Sequence, residues 1–302
     1  EYKAGMKMIL HGVGSPEEMK LLRTDNSADG GVLVHNEISN EMLKNIVEIS
    51  PMRSLARVMQ SSHKAVELSR RNVASIAYWI GERETVTKST STYGGLEIPV
   101  NKLMAQADAT REMLEDSSSS VESDVMSDAG EAFALKEGAA FINGDGVKKP
   151  SGIMQNGDIG EYNSGNATLI TSDGVIGLAG ELKTGYSPVY IMNRKTVTAI
   201  RLLVDLDGQY LWQAGMTGGT PNSLNGYSYV EMPDMADIGA GTFPLAFGDF
   251  RKGYRIVDGA GMTVIRDDVT QAGDDEVIWT FRRRVGGQVV LPEAIKKLKI
   301  SA

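Results

Sequence analysis

An α+β fold is the class this sequence predicts, on three observations. Two β-prone runs, 73–80 and 96–104, flank a long polar tip. A proline-free stretch over 107–141 carries Leu114, Val121, Val125, Ala129 and Phe133 at helical spacing. Beyond Pro150, helix-like and strand-like segments alternate, so strands and helices are partly segregated and partly interleaved along the chain.

The first 30 residues are polar, charged and glycine-rich, and read as an arm. A short helix is expected inside it, with Ser15 as its cap, Pro16 at its first position and Glu17 and Glu18 in its first turn. Val32, Leu33 and Val34 then read as a strand. Ile38, Met42, Ile46 and Val47 follow at helical spacing, and Pro51 ends that helix.

The tip between the two β-prone runs, from Glu82 to Gly95, is too long for a tight turn and too polar to bury. The pair therefore reads as a projecting hairpin. A two-stranded ribbon is marginally stable alone in water, so it requires a partner surface.

As one helix, 107–141 would be roughly 50 Å long. Eight acids, Asp108, Glu112, Glu115, Asp116, Glu122, Asp124, Asp128 and Glu131, stand on it against Arg111 alone. That face is either solvated or built for a basic neighbour.

Asn143, Gly144, Asp145 and Gly146 form a turn, and Pro150 opens a second region. Helices are expected over 172–183 and 194–204 around a buried strand at 189–192. A loop spans 213–226, and strands follow at 227–232, 244–248, 253–257, 262–266, 277–280 and 282–290. Pro292 leads to a basic terminus with Lys296, Lys297 and Lys299.

Composition narrows the function classes. The 302 residues include 31 basic and 39 acidic side chains, 41% apolar residues and no cysteine. Disulfides, iron–sulfur clusters and thiolate zinc sites are excluded. The net charge of -8 argues against general affinity for nucleic-acid backbones. No run of about 18 apolar residues and no secretory signal is present, which predicts folding inside the cell and no membrane span.

Motifs for chemistry are missing. Gly12 and Gly14 do not complete a dinucleotide fingerprint, and 143–146 lacks the lysine and hydroxyl of a phosphate loop. Asp205, Asp207 and Gly208 lack the remaining ligands of a calcium loop. His11, His35 and His63 are scattered and none neighbours a nucleophile-elbow pattern. No catalytic, cofactor or metal residue is assigned.

The succession of elements, and the residues within it, resemble the major capsid protein of tailed bacteriophages, the Hong Kong 97 phage fold. The residues that carry the resemblance are Phe141, Ile142, Asn143, Gly144, Asp145 and Gly146, followed by Pro150, Ser151, Gly152 and Ile153; Tyr190, Ile191, Met192 and Asn193 before a helix; Asp207, Gly208, Gln209, Tyr210, Leu211 and Trp212; Asn225, Gly226 and Tyr227; Ala246, Phe247, Gly248, Asp249 and Phe250; and Ile265, Arg266, Asp267 and Asp268. The match runs over about residues 20–300.

This resemblance implies a shell subunit without an active site, forming pentamers and hexamers around double-stranded DNA that it does not bind specifically. It implies an arm at 1–29, a peripheral domain at 30–65, 105–146 (its spine helix) and 250–302, an extended loop at 66–104 lying on a neighbour, and an axial domain at 147–249. Expected partners are a scaffold segment or protein, a maturation protease, a portal and cement proteins, with assembly in the host bacterial cytoplasm and residence in the virion. The start at Glu1 resembles the family's loss of an N-terminal segment to proteolysis. Assembly contacts are expected at Arg83, Glu84, Lys88, Arg266, Asp267, Arg282, Arg283 and Arg284.

One departure matters chemically. The founding member joins a lysine of the extended loop to an asparagine of the peripheral domain, helped by a glutamate. Lys88 matches the lysine, but Gly273, Asp274, Asp275 and Glu276 stand where the asparagine would be, and Arg282, Arg283 and Arg284 where the glutamate would be. No amide leaving group and no carboxylate base remain at those positions, which speaks against covalent cross-linking. The rival readings are an encapsulin shell of the same fold and an unrelated acidic enzyme.

Overall fold

A computed structural model describes residues 48–301 apart from 117–120, 206, 213–222, 260 and 272. The chain divides into a unit of Glu1–Asn45 and one of Ile46–Ala302. The arm, its Ser15-capped helix, the 32–34 strand, the 38–47 stripe, His11 and His35 lie outside the described residues, as does most of the 213–226 loop.

The long strand β12 (Glu276–Val289) organises one five-stranded sheet. Along one edge it pairs antiparallel with β4 (Asn101–Thr110). Along the other it pairs with β11 (Thr263–Asp267) and then β10 (Tyr254–Asp258), which carries β1 (Arg57–Gln60) in parallel. The sequence predicts a break at Phe281. The strand instead runs through it, with Val277, Trp279 and Phe281 alternating inward at the strand period of two.

Pairing with β12 also overrides the expected single helix. Ala107 and Ala109 sit opposite Trp279 and Val277, so residues with good helix propensity end β4 instead. Helix α2 (Arg111–Asp116) follows, and α3 (Val121–Asn143) supplies a spine of about 35 Å rather than roughly 50 Å. Val121, Ala129 and Phe133 of α3 pack with Ala109, Val277, Trp279 and Phe281 over one face of the sheet. Short α1 (Met52–Leu55) precedes β1.

The second sheet has six strands in the order β5 (Gly160–Asn163), β13 (Ile295–Lys299), β9 (Leu245–Gly248), β6 (Val189–Met192), β8 (Tyr227–Glu231), β7 (Ser223–Leu224). Helices α4 (Ser172–Gly180) and α5 (Arg194–Arg201) contribute Val175, Leu178, Val197 and Ile200 to a core with Tyr190, Leu245, Phe247 and Leu298. Each helix starts on a side-chain cap: Thr171 accepts from the Gly174 amide at 3.0 Å and Asn193 from the Thr196 amide at 2.7 Å. Asn225 and Gly226, with φ of 51° and 82°, form a tight turn between β7 and β8, so the expected loop closes before its predicted end.

The basic terminus is a correction. Lys296, Lys297 and Lys299 belong to β13, which is inserted between β9 and β5. Alternation buries Lys297, whose ammonium donates to the Met154 and Asn156 carbonyls, pairs with Glu161 at 3.2 Å and lies 4.3 Å from the Phe243 ring centre. Short α6 (Phe250–Gly253), capped by Asp249, links β9 to β10 and hence one sheet to the other.

The projecting hairpin exists with shifted strands. β2 (Ala65–Val73) pairs with β3 (Thr92–Pro99) as a separate two-stranded sheet, and 96–104 divides at Val100 between β3 and β4. The run 73–80, expected as a strand, is almost wholly tip. Backbone pairing ends at Val73 and Thr92, just past a bulge between Arg71 and Val73, and beyond it serine hydroxyls replace the ladder: Ser89 Oγ accepts from the Ile76 amide at 2.8 Å and donates to its carbonyl at 3.1 Å.

Candidate assembly surfaces

The tip from 74 to 91 is exposed on nearly every side chain. Trp79 is fully accessible, Ile76 is 60% exposed and Val86 58%, while Tyr78 and Ile80 are also exposed. Among the described residues no second layer covers this ribbon, an arrangement that isolated soluble chains rarely present. Arg83, Glu84 and Lys88 lie on the same tip, all exposed. The Glu84 carboxylate accepts from the Gly81 amide at 3.2 Å and so shapes the turn.

Strand β11 forms a second surface. Among the described residues its outer edge has no partner strand, and Thr263 through Arg266 are exposed on both faces. Arg266 donates from Nε to Asp268 at 2.9 Å and places its guanidinium 5.8 Å from the Trp279 ring centre. Asp267 accepts from the Thr270 hydroxyl and from the Val269 and Thr270 amides, contacts that hold its carboxyl below the usual range. It is thus first a turn former. Val269, 81% exposed, follows directly.

The arginine triplet divides. Arg282 is exposed and Arg284 half-buried, but Arg283 turns into the molecule. Its Nε lies 3.3 Å from Glu137 Oε1 and its Nη2 3.6 Å from Asp258. Arg53 completes the group, donating to Glu137 Oε2 from Nε and Nη2 at 2.9 and 2.6 Å and to both Asp258 oxygens at 2.9 Å. Two cations and two anions from α1, α3, β10 and β12 thereby close on one another. Arg283, expected as an assembly contact, is committed within its own chain. Sequence reasoning missed Arg53, Glu137 and Asp258. A signal existed, because Glu137 sits midway between Phe133 and Phe141 on the buried stripe of α3.

The remaining positions are structural in geometry. Asp275, with φ of 59°, turns the chain into β12; its carbonyl accepts from the Arg111 amide at 3.0 Å and its carboxylate lies 3.5 Å from Arg111 Nε. Asp205 accepts from the Asp207 and Gln209 amides at 2.9 and 3.0 Å, closing a turn on Gly208. His63 is exposed. Among the described residues no three potential metal ligands cluster, and no helix is long and apolar enough to cross a membrane.

Against families, residues 30–300 match the model described as the phage capsid family. The chain belongs to that family. It is similar to the structure titled "Capsid of native GTA particle computed with C5 symmetry", at 30% identity and TM-score 0.85, covering 93% of this chain and all of that one. The corresponding empty-particle capsid gives 30% identity and TM-score 0.83 over the same shares. The structure titled "Microbacterium phage Oxtober96" is similar in fold, with TM-score 0.70 at 14% identity over 90% of this chain and 98% of that one. No curated protein sequence matches. The expected α+β capsid fold is thus present, and the chain is a major capsid protein, a structural component of an icosahedral virion shell built from copies of itself. The encapsulin reading is not favoured.

Proposed function

We infer that this subunit forms the pentamers and hexamers of a shell enclosing double-stranded DNA, assembles in the host bacterial cytoplasm, and carries out no turnover. The observation that carries this reading is the hairpin tip, whose exposed Trp79, Ile76 and Val86 require a partner that the rest of the described chain does not supply. The tip lies on a neighbouring subunit, with Arg83, Glu84 and Lys88 at the rim of that contact. Arg266 with Asp267, and Arg282, meet other subunits at the β11 side. A shell with net charge -8 per subunit holds DNA without adhering to it.

The domain division proposed for this subunit is that of a shell protein with an arm, a projecting loop and two bodies. The arm takes 1–29, the peripheral domain 30–65, 105–146 and 250–302, the extended loop 66–104 and the axial domain 147–249, with β13 at the end of the chain pairing between β9 and β5 of the second sheet. A scaffold segment or protein, a maturation protease, a portal and cement proteins are the partners such a shell takes.

Electron microscopy of the purified protein tests this reading. Wild type is expected to form icosahedral particles or their capsomers. Ile76→Ser with Trp79→Ser is expected to leave subunit melting unchanged and to lower particle yield about tenfold or more, since each removed apolar contact is repeated around every ring. A compact monomer in wild type, or normal yield in the double variant, overturns it.

A further inference from the structure

A cleft of about 810 Å³ opens between α1, α6 and the β1–β10 pair, near the start of β6. Arg57, Arg251, Lys252 and Arg255 line it, with Asp249 as the sole carboxylate. Asp249 is already engaged, accepting from the Lys252 and Ser187 amides at 3.1 and 3.3 Å and facing the Lys252 ammonium at 3.6 Å. Among the described residues Arg57, Arg251 and Arg255 make no ion pair and no side-chain hydrogen bond.

Two features make this a built site. Arg57 and Arg255 are direct cross-strand partners, a like-charge pairing that costs stability unless an anion lies between them. Arg255 Nε is also buried without an acceptor, and burial together with the Arg57 charge holds that guanidinium below its usual range. A buried donor left unpaired costs stability, so a ligand that accepts from it recovers that loss.

The chain carries its own complement. Eight acids against one arginine lie over 108–131, Glu112, Glu115, Glu122 and Asp128 are exposed, and none of those residues lines the cleft. We propose that the cleft is a carboxylate-binding site that receives the acidic α2–α3 face of a second copy of this chain. The inference rests on the shell reading and deepens it: a cationic cleft and an anionic face at different places on one subunit form the heterologous contact that closes a ring.

Assembly followed by light scattering tests it, with wild-type shells as the reference that establishes the shell reading independently. Arg57→Glu with Arg255→Glu is expected to slow assembly about tenfold or more at low salt without lowering subunit melting. Adding Glu115→Lys and Glu122→Lys is expected to restore the rate. Wild-type rates in the arginine variant overturn the inference and leave the shell reading standing. So does loss of binding to short duplex DNA with assembly unchanged, which would assign the cleft to nucleic acid. As a fold-preserving check, shells of Arg57→Lys with Arg255→Lys are treated with a zero-length carbodiimide. Intermolecular peptides joining position 57 or 255 to acids within 108–131 are expected, and links confined to other acids overturn the proposal.

Discussion

Glu137 shows what a single side chain can decide in this chain. It is 3% exposed on an apolar helix stripe, where an unpaired carboxylate is not tolerated, and Arg53 and Arg283 make its burial possible. Glu137→Ala leaves two guanidinium groups with only Asp258 to share. A loss of about 3 kcal/mol in urea unfolding of the subunit is expected; a loss below about 1 kcal/mol would mean that Asp258 alone suffices. Glu161 and Glu293 act nearer the surface. For Glu161 burial opposes the charge, but Lys297 and Lys299 outweigh it; for Glu293 the Lys183 and Tyr186 hydrogen bonds dominate. Both carboxyls fall below their ordinary 4.5. A depressed carboxyl contributes stability that is fully present above the unfolded value and is lost as pH falls through the folded one. Subunit melting should therefore be insensitive to these groups at neutral pH and decline below about pH 4.5, with a shallower decline in Glu161→Gln.

At the scale of elements, β12 approaches its neighbours closely at its glycines. A β-carbon at Gly287 would lie 2.5 Å from Tyr254 Oη and 3.1 Å from the Phe141 ring. Tyr254 is itself buried and donates to the Ser151 carbonyl at 2.7 Å. Gly287→Val is expected to cost about 2–3 kcal/mol by overpacking, read as a lowered melting temperature. The hairpin behaves differently, since its tip makes few contacts with its own chain. These elements also show what local pattern could reveal. The 189–192 strand, its Asn193-capped helix, and β9 to β11 were legible because their apolar runs are short and bounded by turn residues. The boundary between β4 and α2 was not, because alanines at 105, 107 and 109 suit either state and only the partner strand β12 selects one.

At the scale of the molecule, charges of opposite sign are separated along the chain. Acids concentrate on α2 and α3, while Arg57, Arg251 and Arg255 line a cleft elsewhere without an ion-pair partner among the described residues. Exposed charge pairs are worth only about 0.2–1 kcal/mol each, but a ring repeats them. Raising salt from about 0.1 to 1 M shortens the Debye length from about 10 to 3 Å, so assembly rates followed by light scattering are expected to fall across that range. Apolar contacts at the hairpin tip respond in the opposite sense. Flat or rising rates would therefore mean that Trp79 and its neighbours, rather than charge, control ring closure.

The order of elements, the projecting hairpin, the acidic face and the absence of catalytic motifs were determined by the sequence itself, because spacing, turn residues and charge act locally. Tertiary structure alone decided three things. It placed β13, a lysine-rich segment that reads as a solvated tail, inside a sheet, where two carbonyls, Glu161 and the Phe243 ring satisfy Lys297. It turned Arg283 inward toward Glu137, 146 positions away in the chain. And it set Arg57 beside Arg255. Each outcome depends on which distant residue supplies the opposing charge or the neighbouring strand, and long-range pairing leaves no period in the sequence from which to read it.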